Sequence, residues 1–141
     1  MPDVTDDYGY WQTVPTRWKD NDVYGHVNTV VHYSLMDTVI NEWLIRAAGL
    51  DIHDGDRIGL CVQSHCEYKE SASFPDTIRV GLRIGHLGTS SVRYECGLYR
   101  GSDGVLIAEG HFTHVFVDNA TRRPVPIDGK LRAAMETLAH P

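Results

Sequence analysis

Apolar and polar positions follow two rhythms along this chain. Between Thr29 and Ala48 the apolar residues recur every three or four positions. Val30, Tyr33, Ile40, Leu44 and Ala47 form one stripe, and Val31, Leu35, Val39 and Trp43 form a second. The spacing predicts an α-helix of about 20 residues, roughly 30 Å long. Apolar stripes on two sides predict that it is largely buried. Gly49 follows as a residue suited to end it.

After a polar loop from Leu50 to Arg57 the period changes to two. From Leu60 to Tyr68, Leu60, Val62, Ser64, Cys66 and Tyr68 alternate with Cys61, Gln63, His65 and Glu67. From Ile78 to His86, Ile78, Val80, Leu82 and Ile84 alternate with Arg79, Gly81 and Arg83. From Val92 to Leu98, Val92, Tyr94, Cys96 and Leu98 alternate with Arg93, Glu95 and Gly97. Each run predicts a strand with one covered face. Val105 to Val117 is apolar at both parities, as expected of a central strand covered on both faces. The links are short and rich in turn residues: Ser73 to Asp76, Gly85 to Ser90, and Gly101 to Gly104, where Asp103-Gly104 is a hairpin signal. Short links make the neighbours antiparallel.

The ends complete the picture. Met1 to Asp7 reads as loose, and Tyr10 to Lys19 as a first strand in which Pro15 points to a sheet edge. Pro124 and Pro126 close the sheet, and Leu131, Met135 and Leu138 give a short amphipathic helix. The expected architecture is α+β: one domain over residues 1–141, with about five antiparallel strands wrapped on one long helix. The helix covers one sheet face, and a second subunit is the simplest cover for the other.

Composition narrows the function classes. A net charge of −6 over 141 residues argues against a nucleic-acid surface. No apolar run is long enough to span a membrane. The acidic start MPDVTDDYGY lacks a secretory pattern, so a cytoplasmic address is expected. Cys61, Cys66 and Cys96 match no zinc spacing and read as reduced thiols, with Cys61 and Cys66 on opposite sides of a regular strand. His111 and His114, three apart, also face opposite sides and make a poor chelate. No metal or cofactor is expected.

The candidate chemistry lies in the polar turn before the helix, Asp20-Asn21-Asp22-Val23-Tyr24-Gly25-His26. Gly25 permits a tight turn or a close ligand, and Asn28 suits the helix N-cap. Asp20-x-Asp22 with Gly25 has the opening of a calcium loop, but Tyr24 and Val31 occupy its fifth and twelfth positions. Residue types alone read these acids as turn and cap residues.

The longer motif says more. R-W-K-D-N-D-V-Y-G-H-V-N, Arg17 to Asn28, followed by a long helix and four strands, resembles the acyl-CoA thioesterases of the hotdog fold, closest to the 4-hydroxybenzoyl-CoA thioesterase type. The run Ile84 to Ser91 is similar to that family's turn between two long strands. The resemblance implies hydrolysis of an acyl-CoA by a homodimer or homotetramer. It places the catalytic carboxylate on Asp22 and the oxyanion donor on the backbone N–H at about Thr29, where a helix start offers free N–H groups and a positive dipole end. Gly25, His26 and Asn28 would border the substrate. Gly88, Thr89 and Ser90 would meet the pantetheine arm through backbone groups. Asp37 would line the acyl end, from the facing subunit. Arg79, Arg83, Arg93 and Lys69 are candidates for the CoA phosphates. The chain departs from the family pattern at Thr29, where a second Asn is usual, at His32, where an aromatic is usual, and at Asp37, often Glu. His32 and Asp37 are thus the places to seek substrate identity.

Two other classes remain open. A hotdog hydratase or dehydratase would add water to an enoyl-CoA without releasing CoA. A non-catalytic acyl-CoA-binding protein would hold the ester without turnover. No Gly-x-Ser-x-Gly elbow is present for a serine hydrolase.

Overall fold

In the computed structural model, which describes residues 7–139, the long helix α1 (Thr29–Arg46) lies on one face of an antiparallel sheet. The strands are β1 (Tyr10–Pro15), β2 (Arg57–Tyr68), β3 (Thr77–Leu87), β4 (Ser91–Arg100) and β5 (Leu106–Asp118). Their order is β1-β3-β4-β5-β2. A short helix α2 (Gly129–Leu138) closes the chain. This is the hotdog arrangement of an α+β domain, as expected. The reading of the first residues as loose falls outside the described residues, except for Asp7, which is in a turn.

The alternation predicted for β3 and β4 sets the core. Ile78, Val80, Leu82 and Ile84, then Val92, Tyr94, Cys96 and Leu98, are all buried. Against them α1 buries Met36, Val39, Ile40, Trp43 and Leu44. Each such side chain contributes about 1.5–3 kcal/mol of transfer free energy. Neither expected stripe is buried along its whole length: Ile40, Leu44, Val39 and Trp43 lie in the core and Tyr33, Val31 and Leu35 pack half-buried against it, but Val30 and Ala47 face outward. Val30 is 70% exposed and Ile45, outside both stripes, 44%, so the helix is covered on one face and open on the other. It ends at Arg46, before the expected Ala48; Gly49 takes a left-handed φ of 72° and Leu50 N–H closes on the Leu44 carbonyl.

Three strand expectations need correction. The first strand ends at Pro15, on the sheet edge, and Trp18–Asp20 turn into a 3-10 helix because Asp20 folds back onto Arg17. β5 is interior, paired on both edges, but β4 is the middle strand. In β2 a bulge between Cys61 and Gln63 resets the alternation. Cys61 stands opposite His114 and Cys66 opposite Gly110, so both look toward the α1 side. All three cysteines are free thiols. His111 and His114 do face opposite sides: His114 is buried against Tyr94, and His111 stacks on His65 across the outer face.

Part of the outer face is covered by the chain itself. Gly81 and Gly97 stand opposite each other, and the Tyr8 ring fills the notch they leave. Arg83 lies 4.9 Å over Tyr8, and Arg79 5.1 Å over Trp11. β2 is the less protected edge, with Leu60, Val62 and Tyr68 exposed.

Candidate active site

The turn before α1 is built by its own polar groups. Asp20 is buried and takes three bonds from Arg17: its backbone N–H at 2.8 Å, Nε at 3.1 Å and Nη2 at 2.7 Å. Burial would raise the Asp20 carboxyl, but the Arg17 bonds and charge outweigh it and hold it below the usual carboxylate range. Asp20 is thus structural. Its carbonyl receives Asn28 N–H at 2.9 Å, and Val27 N–H reaches Ala72 O at 2.8 Å. Asn21 Oδ1 accepts from Phe74 N–H, and Ser73 Oγ donates to Gly25 O. The loop is therefore pinned at both ends.

Within it, Asp22 makes a local turn. Its Oδ1 accepts from Tyr24 N–H at 2.9 Å, its carbonyl from Gly25 N–H at 3.0 Å, and its own N–H reaches His26 O at 2.8 Å. Gly25 has φ 78°, which a side chain would strain. Asn28 caps α1: Oδ1 accepts from Val30 N–H at 3.0 Å, and its carbonyl from Val31 N–H at 2.9 Å. Of the first three helix N–H groups, that of Thr29 has no acceptor among the described residues.

Asp22, Val27, Thr29, His32 and Tyr68 converge on one cavity of about 460 Å³, with His26 and the run Lys69 to Ser71 at its rim. Its floor is tied across elements. Tyr68 Oη donates to Thr29 O at 3.2 Å, and the Tyr68 ring meets His32 edge-to-face at 5.1 Å. His32 is 3% exposed, and its Nδ1 lies 3.2 Å from Asn28 O. Burial holds its pKa below the ordinary imidazole value, against the backbone bonds at Asn28 and Thr29. The arrangement offers a carboxylate, an unfilled helix-start N–H and an uncharged imidazole around one space.

The structure thus joins Asp22, His26, Thr29 and His32. Asn28 is spent on the cap, and Gly25 shapes the turn. Asp37 is not buried, as the helix pattern suggested. It is exposed, its Oδ1 accepts from Asn41 Nδ2 at 2.9 Å, and it lines a separate groove with Thr38, Asn41, Glu42, Ile45 and Arg46. Gly88, Thr89 and Ser90 form the β3–β4 turn, held by the C-terminal segment through Ile127 N–H to Thr89 O and Arg132 to Gly88 O. They do not border the Asp22 cavity of their own chain. Of the four basic candidates only Lys69 is at the cavity. Arg83 and Arg93 pair with Glu95 on the outer face, and Arg79 covers Trp11. Tyr68 was missed. In the sequence it is one more alternating strand residue, and only the pairing of β2 brings it to the helix start. Among the described residues no group of three or more His, Cys, Asp or Glu is placed to hold a metal ion, and no helix is long and apolar enough to cross a membrane.

Comparison with known proteins agrees with this frame. The chain is similar over 95% of its length to 94% of the PA5185 protein of Pseudomonas aeruginosa, with 46% identity and a TM-score of 0.90. Slr0204 of Synechocystis, a 1,4-dihydroxy-2-naphthoyl-CoA thioesterase, shares the fold at 18% identity and TM-score 0.83, over 94% of this chain and 98% of that one. BH1999, a gentisyl-coenzyme A thioesterase, does so at 22% identity and TM-score 0.78, over 89% and 99%. No curated protein matches. The family model of the thioesterase-like superfamily matches residues 16–135. The chain therefore belongs to the thioesterase-like superfamily and is a thioester hydrolase.

Proposed function

We propose that this protein hydrolyses an acyl-CoA to the free acid and CoA, with Asp22 as base or nucleophile and Thr29 N–H as an oxyanion donor. The observation that carries the reading is the unfilled Thr29 N–H at the start of α1, in the same cavity as the Asp22 carboxylate. Attack on the thioester carbon pushes charge onto its oxygen. A fixed N–H at a helix start meets that charge without reorganisation. Collapse then expels the CoA thiolate. If Asp22 acts as base, it takes a proton from the attacking water and passes it to the thiolate. If it attacks, the anhydride it forms is opened by water. His26 and Lys69 border the open side, where the CoA arm would leave.

The active form in this reading is a homodimer or homotetramer. The free edge of β2 and the exposed Val30 and Ile45 of α1 are surfaces a second copy would cover. Asp37, Gly88, Thr89 and Ser90 then enter from that copy. The test is thiol release from a panel of acyl-CoAs by wild type and Asp22→Asn, with sedimentation to give the assembly. Equal turnover by the variant rejects the role of Asp22. In one turnover in ¹⁸O-water, an acid product free of ¹⁸O with ¹⁸O retained on Asp22 demonstrates direct attack followed by opening of the anhydride at the Asp22 carbonyl, since a water activated by Asp22 always places one ¹⁸O in the acid.

A further inference from the structure

We propose that His32 selects acyl groups that carry a hydroxyl on the first carbons beyond the thioester carbonyl. The inference rests on the thioesterase reading and adds to it the chemical class of the substrate.

The argument begins with a tautomer. His32 Nδ1 lies 3.2 Å from Asn28 O. A carbonyl oxygen only accepts, so Nδ1 carries the proton and Nε2 is a bare acceptor. The ring cannot readily turn away, since it is buried and packed edge-to-face on Tyr68. Tyr68 cannot supply Nε2 with a donor either, because its hydroxyl is given to Thr29 O. Nε2 makes no hydrogen bond among the described residues. It is not sealed: the buried side-chain nitrogens without partners among those residues belong to Trp11, His111 and His114. His32 therefore presents an unfilled acceptor to the cavity that it shares with Asp22 and Thr29.

Position says which part of the substrate meets it. His26 is exposed and His32 buried, so CoA leaves past the former and the acyl group enters toward the latter. His32 is three residues beyond Thr29, about 4.5 Å of helix rise, and helical side chains lean back toward the N-terminus. After a hydrogen bond of about 2.8 Å, little distance remains to the carbonyl held at Thr29. A hydroxyl close to the carbonyl fits this reach. A plain hydrocarbon would desolvate Nε2 and leave it unpaired.

The test compares CoA release from 3-hydroxybutanoyl-CoA and butanoyl-CoA. Wild type should favour the hydroxy ester by about tenfold in kcat/KM, and His32→Phe should bring the ratio close to one. A wild-type ratio near one, or a ratio unchanged in the variant, overturns the proposal. If neither ester releases CoA, the thioesterase reading is what has failed for these substrates, and calorimetric binding of the same two esters still gives the ratio. Imidazole ¹⁵N shifts of wild type should show Nδ1 protonated and Nε2 bare, and the opposite tautomer also overturns the proposal, whether or not the variant folds.

Discussion

The Tyr68 hydroxyl donates to the Thr29 carbonyl at 3.2 Å, so the last residue of β2 holds the first residue of α1. The same Thr29 borders the cavity, and its N–H has no acceptor among the described residues. Tyr68→Phe keeps the ring against His32 and removes this tie, together with the hydroxyl's contact to the Cys66 thiol. Stability should fall by about 1 kcal/mol, read as a urea midpoint. Turnover should fall more, by about tenfold, because a small displacement of the oxyanion donor is costly.

Asp22→Asn isolates charge from shape. The amide oxygen can still accept from Tyr24 N–H, so the turn should persist and the melting temperature should stay close to wild type. Thiol release should fall by about 10²–10⁴-fold. A large loss of melting temperature instead would mean that the carboxylate is there for the loop.

The buried imidazoles make stability pH-dependent. Burial lowers the His114 pKa from 6.5 to about 4, opposed by the charge of Asp37. His32 and His111 are lowered too, chiefly by burial. A base with a depressed folded value binds its proton more readily when unfolded. Its contribution is therefore complete above pH 6.5 and is lost as pH falls toward 4. The urea midpoint should decline across that window, and His114→Leu should flatten the decline.

Gly97 is a packing requirement rather than a turn. A Cβ there would stand 2.6 Å from the Tyr8 hydroxyl oxygen, and one at Gly81 2.7 Å from the Tyr8 ring. Gly97→Ala should cost about 1–3 kcal/mol. Adding Tyr8→Ala should remove part of that cost, so the two effects should not add. Chemical denaturation of the four proteins closes the cycle.

How legible the sequence was depends on how local each feature is. β3 and β4 alternate regularly from Ile78 to Ile84 and from Val92 to Leu98, so the buried residues of those runs could be named from parity. α1 was clear in type and start, since Asn28 caps it as its side chain suggested. Its burial was not, because exposure depends on what lies opposite. Val30 and Ala47 look like core residues until the sheet is seen on one side only. The site divides in the same way. Asp22, His26 and Thr29 belong to one contiguous motif, and His32 is one helical turn farther on. Tyr68 comes from a strand about forty positions later, and no spacing announces it. Charge patterns misled most: Arg83 and Arg93 look free in sequence, yet both are paired with Glu95.

The bulge in β2 has a consequence for the edge that carries it. Leu60 opposes Val115, Cys61 opposes His114 and Gln63 opposes Thr113, so Val62 is a surplus residue in the ladder. Its removal would regularise the strand and leave Tyr68 in register. With Val62 present, any strand laid along this edge meets two short runs, Arg57–Cys61 and Gln63–Tyr68, instead of an unbroken template. A broken template resists sliding and indiscriminate addition. One extra valine thus acts as a ratchet, letting the edge be sticky in one alignment while denying it to others.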